Sequence, residues 1–151
     1  VSFSPDGQTI ASAGEDNKIK LWKRNGVLLT LVDTLVEHAE SVNEVVFSPD
    51  GQTIVSASAD TTIKLWKRDG NGKWQEKTAL YEHSDIVNDV AFTPDGESFV
   101  SVGDDNKTVW WNVKKVLQPQ QLQSEGCKLL SDYLRTNNAL DESDREICDG
   151  Y

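Results

Sequence analysis

A serine, a histidine and an aspartate are the ingredients of nucleophilic acyl transfer: the imidazole takes the hydroxyl proton and the carboxylate holds the imidazole in place. The chain carries such a set at His38, Ser56 and Asp60, and another at His83, Ser101 and Asp105. Ser12 and Asp16 repeat two of the three members, with no histidine ahead of them. A hydrolase needs one set in one pocket. Here the set returns in register with a tryptophan, at Trp22, Trp66 and Trp111. Recurrence of that kind speaks for a role every unit needs rather than a reaction that one unit performs.

The serines lie inside a longer repeated string. VFSPDGQTIVSASADTTIKLW runs from Val46, SFSPDGQTIASAGEDNKIKLW from Ser2, and the blurred copy AFTPDGESFVSVGDDNKTVWW from Ala91. Gly7, Gly51 and Gly96 are 44 and 45 residues apart, as are the three tryptophans. A fixed period of this length marks an array or a propeller.

Within each unit the local grammar is β. Ser48-Pro49-Asp50-Gly51 suits a type I turn, with proline presetting φ at the second position. Thr53 to Ser58 then reads as a short strand, rich in β-branched and small residues. Ser58 shares a strand face with Ser56, so alternation alone leaves open which of the two serves. A second turn falls at Ala59-Asp60-Thr61. In the following strand Ile63 and Leu65 point one way and Lys64 and Trp66 the other. After the turn-rich Lys67 to Gly72, Trp74 to Leu80 can form a fourth strand, and Val87 to Phe92 begins the next unit.

Four short antiparallel strands per unit describe a propeller blade, and at this point the units resemble WD repeats. The family pattern is a Gly-His pair, a strand, S-P-D-G, a strand bearing serine, an aspartate turn and a strand ending in tryptophan. The histidine stands here in Glu37-His38 and Glu82-His83, with Glu in place of Gly. The aspartate usual after the tryptophan is replaced by Lys23, Lys67 and Asn112. The resemblance covers about residues 1–115. It implies a chain of hydrogen bonds in each blade, from tryptophan to serine to histidine to aspartate, and so a structural role for the repeated residues: Trp66, Ser56, His38 and Asp60; Trp111, Ser101, His83 and Asp105; Trp22, Ser12 and Asp16. A buried carboxylate would be costly without such partners.

The totals narrow the function classes. Among 151 residues, 25 acids face 15 bases, for a net charge of −10, which disfavours nucleic acid. The triplicated basic pairs Lys23-Arg24, Lys67-Arg68 and Lys114-Lys115 lack the aromatic interleaving of a nucleic-acid stripe. No apolar run reaches the roughly eighteen residues of a membrane span, and within these residues no basic n-region precedes an apolar stretch. Cys127 and Cys148 lack metal-ligand spacing; the expectation is reduced thiols in a cytoplasmic protein, with a disulfide as the alternative that spacing leaves open. Asp69-Gly-Asn-Gly-Lys falls short of a calcium loop, having Lys73 where a ligand should stand. No glycine-rich phosphate loop occurs. The expectation is no cofactor and no metal.

Turns of one type recur at one height, so their charges should add on a shared face. Glu15, Glu37, Glu40, Glu82, Asp85 and Asp104 are the candidate partner-binding residues, and they would favour a cationic peptide or protein. The alternative is a charged surface that only keeps the chain soluble.

After Trp111 the pattern changes. Gln118 to Gln121 reads as a linker. Cys127, Leu130 and Leu134 then recur at helical spacing, and Ser143-Asp144-Arg145-Glu146 is a capping box for a second short helix. The tail GCKLLSDYLRTNNALDESDREICDG resembles the C-terminal extension of large cyanobacterial-type WD-repeat proteins. In many of those the propeller follows a NACHT- or AAA-like signalling ATPase.

The sequence-based expectation is therefore an all-β chain. It holds three blades at about 1–36, 37–81 and 82–115, the last lacking its outer strand, and a linker with a helical extension over 116–151. Three blades cannot close a ring that typically needs about four to eight. With no methionine and a start inside a repeat, the chain reads as the last part of a longer protein. The remaining blades and an N-terminal domain would be partners within it. The leading function is a non-catalytic protein-interaction scaffold; the alternatives are a self-assembling partial propeller and a Ser/His/Asp hydrolase.

Overall fold

The computed structural model describes residues 1–118. The expected helices around Cys127–Leu134 and Ser143–Cys148, and both cysteines, lie outside the described residues. Val1–Val113 forms one compact unit.

Among the described residues eleven strands make three antiparallel sheets. The first holds β1 (Ser2–Phe3), β2 (Thr9–Ala13), β3 (Ile19–Asn25) and β4 (Leu28–Leu35), in that order. The second repeats the plan with β5 (Val42–Phe47), β6 (Thr53–Ser58), β7 (Ile63–Arg68) and β8 (Trp74–Leu80). The third has three strands, β9 (Val87–Phe92), β10 (Ser98–Gly103) and β11 (Thr108–Asn112). Where its fourth strand would begin, the chain turns into the five-residue helix α1 (Val113–Leu117) instead. The fold is all-β, with one short helix among the described residues.

The S-P-D-G turns hold their shape through their own side chains. The Ser48 hydroxyl donates to Asp50 and receives the Thr53 amide at 2.9 Å, while Asp50 accepts the Gln52 amide at 2.9 Å. Ser4 with Asp6 and Thr93 with Asp95 repeat the arrangement. The glycine that ends each turn has φ near 70°, a region L side chains avoid. Gly51 has a second reason to lack a side chain. A Cβ there would lie 3.3 Å from Pro5 of the preceding sheet, and at Gly96 one would lie 3.2 Å from Pro49. The turn motif thus also seats each sheet on the one before it.

The core lies between sheets. Ala11, Ile19, Leu21 and Leu35 of the first sheet meet Val42, Val45, Phe47, Ile54, Trp66 and Trp74 of the second in one buried cluster. Strands β5 and β6 pack in turn on β9. All six residues of β6 are buried, because the second sheet alone has a neighbour on each side. A register shift at Asn43 interrupts the β5–β6 ladder, and the Asn43 side chain donates through Nδ2 across to the Val87 carbonyl at 2.9 Å.

Candidate functional site

In the second sheet Ser56 of β6 opposes Lys64 of β7 and Trp66 opposes Ile54, so the Trp66 indole reaches Ser56 on a diagonal across the pair. His38 comes from the loop leading into β5 and inserts its ring beside them. The indole N–H of Trp66 donates to Ser56 Oγ at 3.0 Å. Ser56 Oγ lies 2.7 Å from His38 Nε2, and His38 Nδ1 lies 2.8 Å from Asp60 Oδ2. The third sheet repeats the chain with Trp111, Ser101, His83 and Asp105, at 2.9, 2.8 and 3.0 Å.

Electrostatics fixes the direction of these bonds. Burial pushes the Asp60 pKa up, but hydrogen bonds from Thr62 Oγ1, the Ala39 amide and His38 outweigh it and bring it down to about 2. The carboxylate is therefore ionised and can only accept, so His38 Nδ1 is the donor. Burial also lowers the His38 pKa, which keeps the ring neutral near pH 7. Its Nε2 then accepts the Ser56 hydroxyl proton. For Asp105, burial raises the pKa, but bonds from His83 and from the Ser84 and Lys107 amides bring it to about 2. Its side chain is only 3% exposed.

The first sheet differs. Trp22 donates to Ser12 Oγ at 2.9 Å, as in the other two, and Ser12 turns its proton toward the Lys20 carbonyl at 3.4 Å. Asp16 is exposed and pairs with Lys20 Nζ at 2.7 Å. Asp16, which the resemblance places at the far end of a chain running through a histidine, bonds neither Ser12 nor Trp22 directly. The matched spacing also could not choose between the two serines of β6. Ser58 Oγ bonds the carbonyls of Glu40 and Ser41 instead, closing the leading loop onto the strand end.

Thr62 is the participant that sequence reasoning missed. Its hydroxyl donates to Asp60 Oδ1 at 2.6 Å and its amide to the same oxygen at 3.0 Å. The Asp60-Thr61-Thr62 spacing, a carboxylate two residues before a hydroxyl, is the signal that could have found it.

The six candidate surface acids, Glu15, Glu37, Glu40, Glu82, Asp85 and Asp104, are all exposed. The β2–β3 turn bearing Glu15 touches the leading loop of the second sheet: Asn17 Nδ2 donates to the Ala39 carbonyl at 2.8 Å, and the Val42 amide to the Gly14 carbonyl at 3.1 Å. Glu15, Glu37 and Glu40 thus border one junction. In the third sheet the Asp104 amide donates to the Ile86 carbonyl at 2.9 Å, which brings Asp104 beside the loop of Glu82 and Asp85. The Asp69 turn uses its own carboxylate internally, for the Asn71 and Lys73 amides.

A family model described as "WD domain, G-beta repeat" matches residues 1–23, 29–67 and 74–112. The second and third matches each begin on the outer strand of the preceding sheet, β4 or β8, and run through the first three strands of the next; together the three matches span more than half of the chain. No curated protein is similar enough to this chain to be counted a relative. Domains of this family generally serve as non-catalytic scaffolds that bind proteins or peptides. The chain belongs to the WD-domain, G-beta repeat family.

Proposed function

We propose that this chain is a non-catalytic interaction platform whose acidic loops take a cationic peptide or protein. The observation that carries the reading is what the repeated serines do. Ser56 and Ser101 are buried, and each hydroxyl already receives an indole N–H and sits against an imidazole. A nucleophile must be reachable by substrate. These hydroxyls are enclosed, and the set is duplicated where a catalyst would keep one.

The frame so fastened presents Glu15, Glu37 and Glu40 at one junction and Glu82, Asp85 and Asp104 around the leading loop of the third sheet. With a net charge of −10, complementary fields favour a basic partner and speed its arrival. The resemblance of the tail supports placing the platform at the sensing end of a larger cytoplasmic signalling protein, with an ATPase domain ahead of it.

An arginine- and lysine-rich peptide titrated into the protein at rising salt tests the reading. Binding should weaken steadily with salt and fall at least tenfold in the Glu40→Lys, Asp85→Lys double variant. Binding that ignores both would remove the acidic face from the account. An esterase activity lost in Ser56→Ala or Ser101→Ala would overturn the non-catalytic reading.

A further inference from the structure

Lys23-Arg24 and Lys67-Arg68, near the ends of β3 and β7, take no part in the hydrogen-bonded chains, yet members of both pairs meet at one groove. Antiparallel order puts the β1–β2, β3–β4 and β7–β8 turns at the opposite strand ends from the acidic loops. There a groove of about 630 Å³ runs between the first and second sheets. Leu21, Lys23 and Val32 line it from the first, and Arg68, Lys73 and Trp74 from the second. Leu21 and Trp74 lie in the buried cluster that joins these two sheets, and Lys23, two residues after Leu21 on β3, shares its face.

The groove has an apolar wall and a cationic rim. Leu21 and Trp74 are buried, whereas Val32 is 55% exposed. Val32 is the extra residue of a register shift: Leu21 opposes Asp33 and Trp22 opposes Leu31, so no residue of β3 faces it. Among the described residues Lys20, Lys64 and Lys107 each hold a carboxylate. Lys23, Arg68 and Lys73 are exposed and in no ion pair, Arg68 acting on Asp6 only at longer range. Arg68 lies over the Trp74 ring, 5.0 Å from its centroid, which fixes its charge at the groove. Asp6 and Asp33 also line the groove, but each already accepts an amide of its own stretch, from Gln8 and Thr34. Cations outnumber acids here, in a chain whose net charge is −10.

From this we infer that the groove takes an acidic peptide segment in which an apolar side chain is flanked by carboxylates. The apolar side chain rests on Val32 and the edge of Trp74, and the carboxylates meet Lys23, Arg68 and Lys73. An apolar anchor ringed by complementary charge is how interfaces combine affinity with register. The volume is that of a site for a short segment, within the range of about 300–1,000 Å³ usual for ligand clefts. A simple anion would use the cations alone and leave Val32 in water. The inference is independent of the cationic-partner reading, because it uses the other strand ends, the other sign of charge and none of the same residues.

Fluorescence anisotropy tests it, with the full chain titrated into a dye-labelled peptide that carries one leucine between aspartates and glutamates. Binding should weaken with salt and fall about tenfold in the Lys23→Glu, Lys73→Glu double variant. It should fall about threefold in Val32→Ser, with the fold of each variant checked by circular dichroism. Should the double variant fail to fold, Lys23→Gln and Lys73→Gln, each alone, should still weaken binding. A peptide that does not bind at high micromolar concentration, binding that survives these substitutions, or equal binding of a peptide with serine for leucine would each overturn the inference. So would an oligonucleotide or inorganic phosphate that displaces the labelled peptide as well as the unlabelled one does.

Discussion

Ser56→Ala removes one oxygen and leaves two buried groups without a partner. The Trp66 indole N–H loses its acceptor at 3.0 Å, and the neutral His38 Nε2 loses the donor at 2.7 Å. Both rings are buried, so water cannot replace the serine without opening the sheet. Leaving a buried polar group unsatisfied costs roughly 1–3 kcal/mol, so the two together should cost about 3 kcal/mol. Ser12→Ala is the internal control. It breaks the equivalent indole bond, but Trp22 is only half-buried and no histidine is involved, so its cost should stay below about 1 kcal/mol. Urea unfolding followed by tryptophan fluorescence reads both. With an m-value of about 1.5 kcal/mol/M, the first substitution should lower the midpoint by about 2 M and the second by less than about 0.7 M. Equal shifts in the two variants would refute the reasoning, because the difference rests entirely on the histidine bridge and the burial around it.

Three further outcomes follow from the same geometry. Thr61 has φ of 69°, a left-handed conformation that a β-branched residue adopts at a cost, where the other two units place Asn17 and Asn106. Thr61→Asn should therefore stabilise the protein by about 1 kcal/mol in the urea assay; a destabilised variant would contradict this. The ionised Asp60 contributes stability above its unfolded pKa of 3.8, and this should be lost as pH falls toward its folded value of about 2. The lowered pKa of His38 acts in the same sense, because below about pH 6.5 the unfolded chain binds the proton first. Thr62→Val removes a donor to Asp60, so an acid titration by circular dichroism should show its unfolding midpoint at higher pH than wild type. An unchanged midpoint would count against the assignment of Thr62.

Strand placement was legible because the residues that set it are local. Thr53–Ser58, Trp74–Leu80 and Val87–Phe92 begin and end where turn residues meet β-branched and apolar runs, and these bounds stand in the structure. The pairing of His38 with Ser56 and Asp60 was legible only through its repetition beside Trp66. Choosing Ser56 over Ser58 needed three dimensions, since both point to one face and only distance separates the ring of His38 from the carbonyls of Glu40 and Ser41. The pairing of Asp16 with Lys20, four residues on, is local and is not announced by the repeat, since the same spacing gives Lys64 after Asp60, whose carboxylate bonds His38 instead, and Val109 after Asp105. The contact of Pro49 with Gly96 could not be read at all, for it joins two copies of the motif that sequence presents only as similar.

The central claim is that the recurring Trp, Ser, His and Asp residues bind to one another and so fasten the second and third sheets. Exchange of the tryptophan indole protons, followed by NMR with residue-specific assignment, tests it most directly. Trp66 and Trp111 should exchange slowly, Trp22 faster, and the exposed Trp110 fastest; Ser56→Ala should release Trp66 while leaving Trp111 protected. A Trp66 proton that exchanges as fast as that of Trp110, or that is indifferent to the loss of Ser56, would contradict the account.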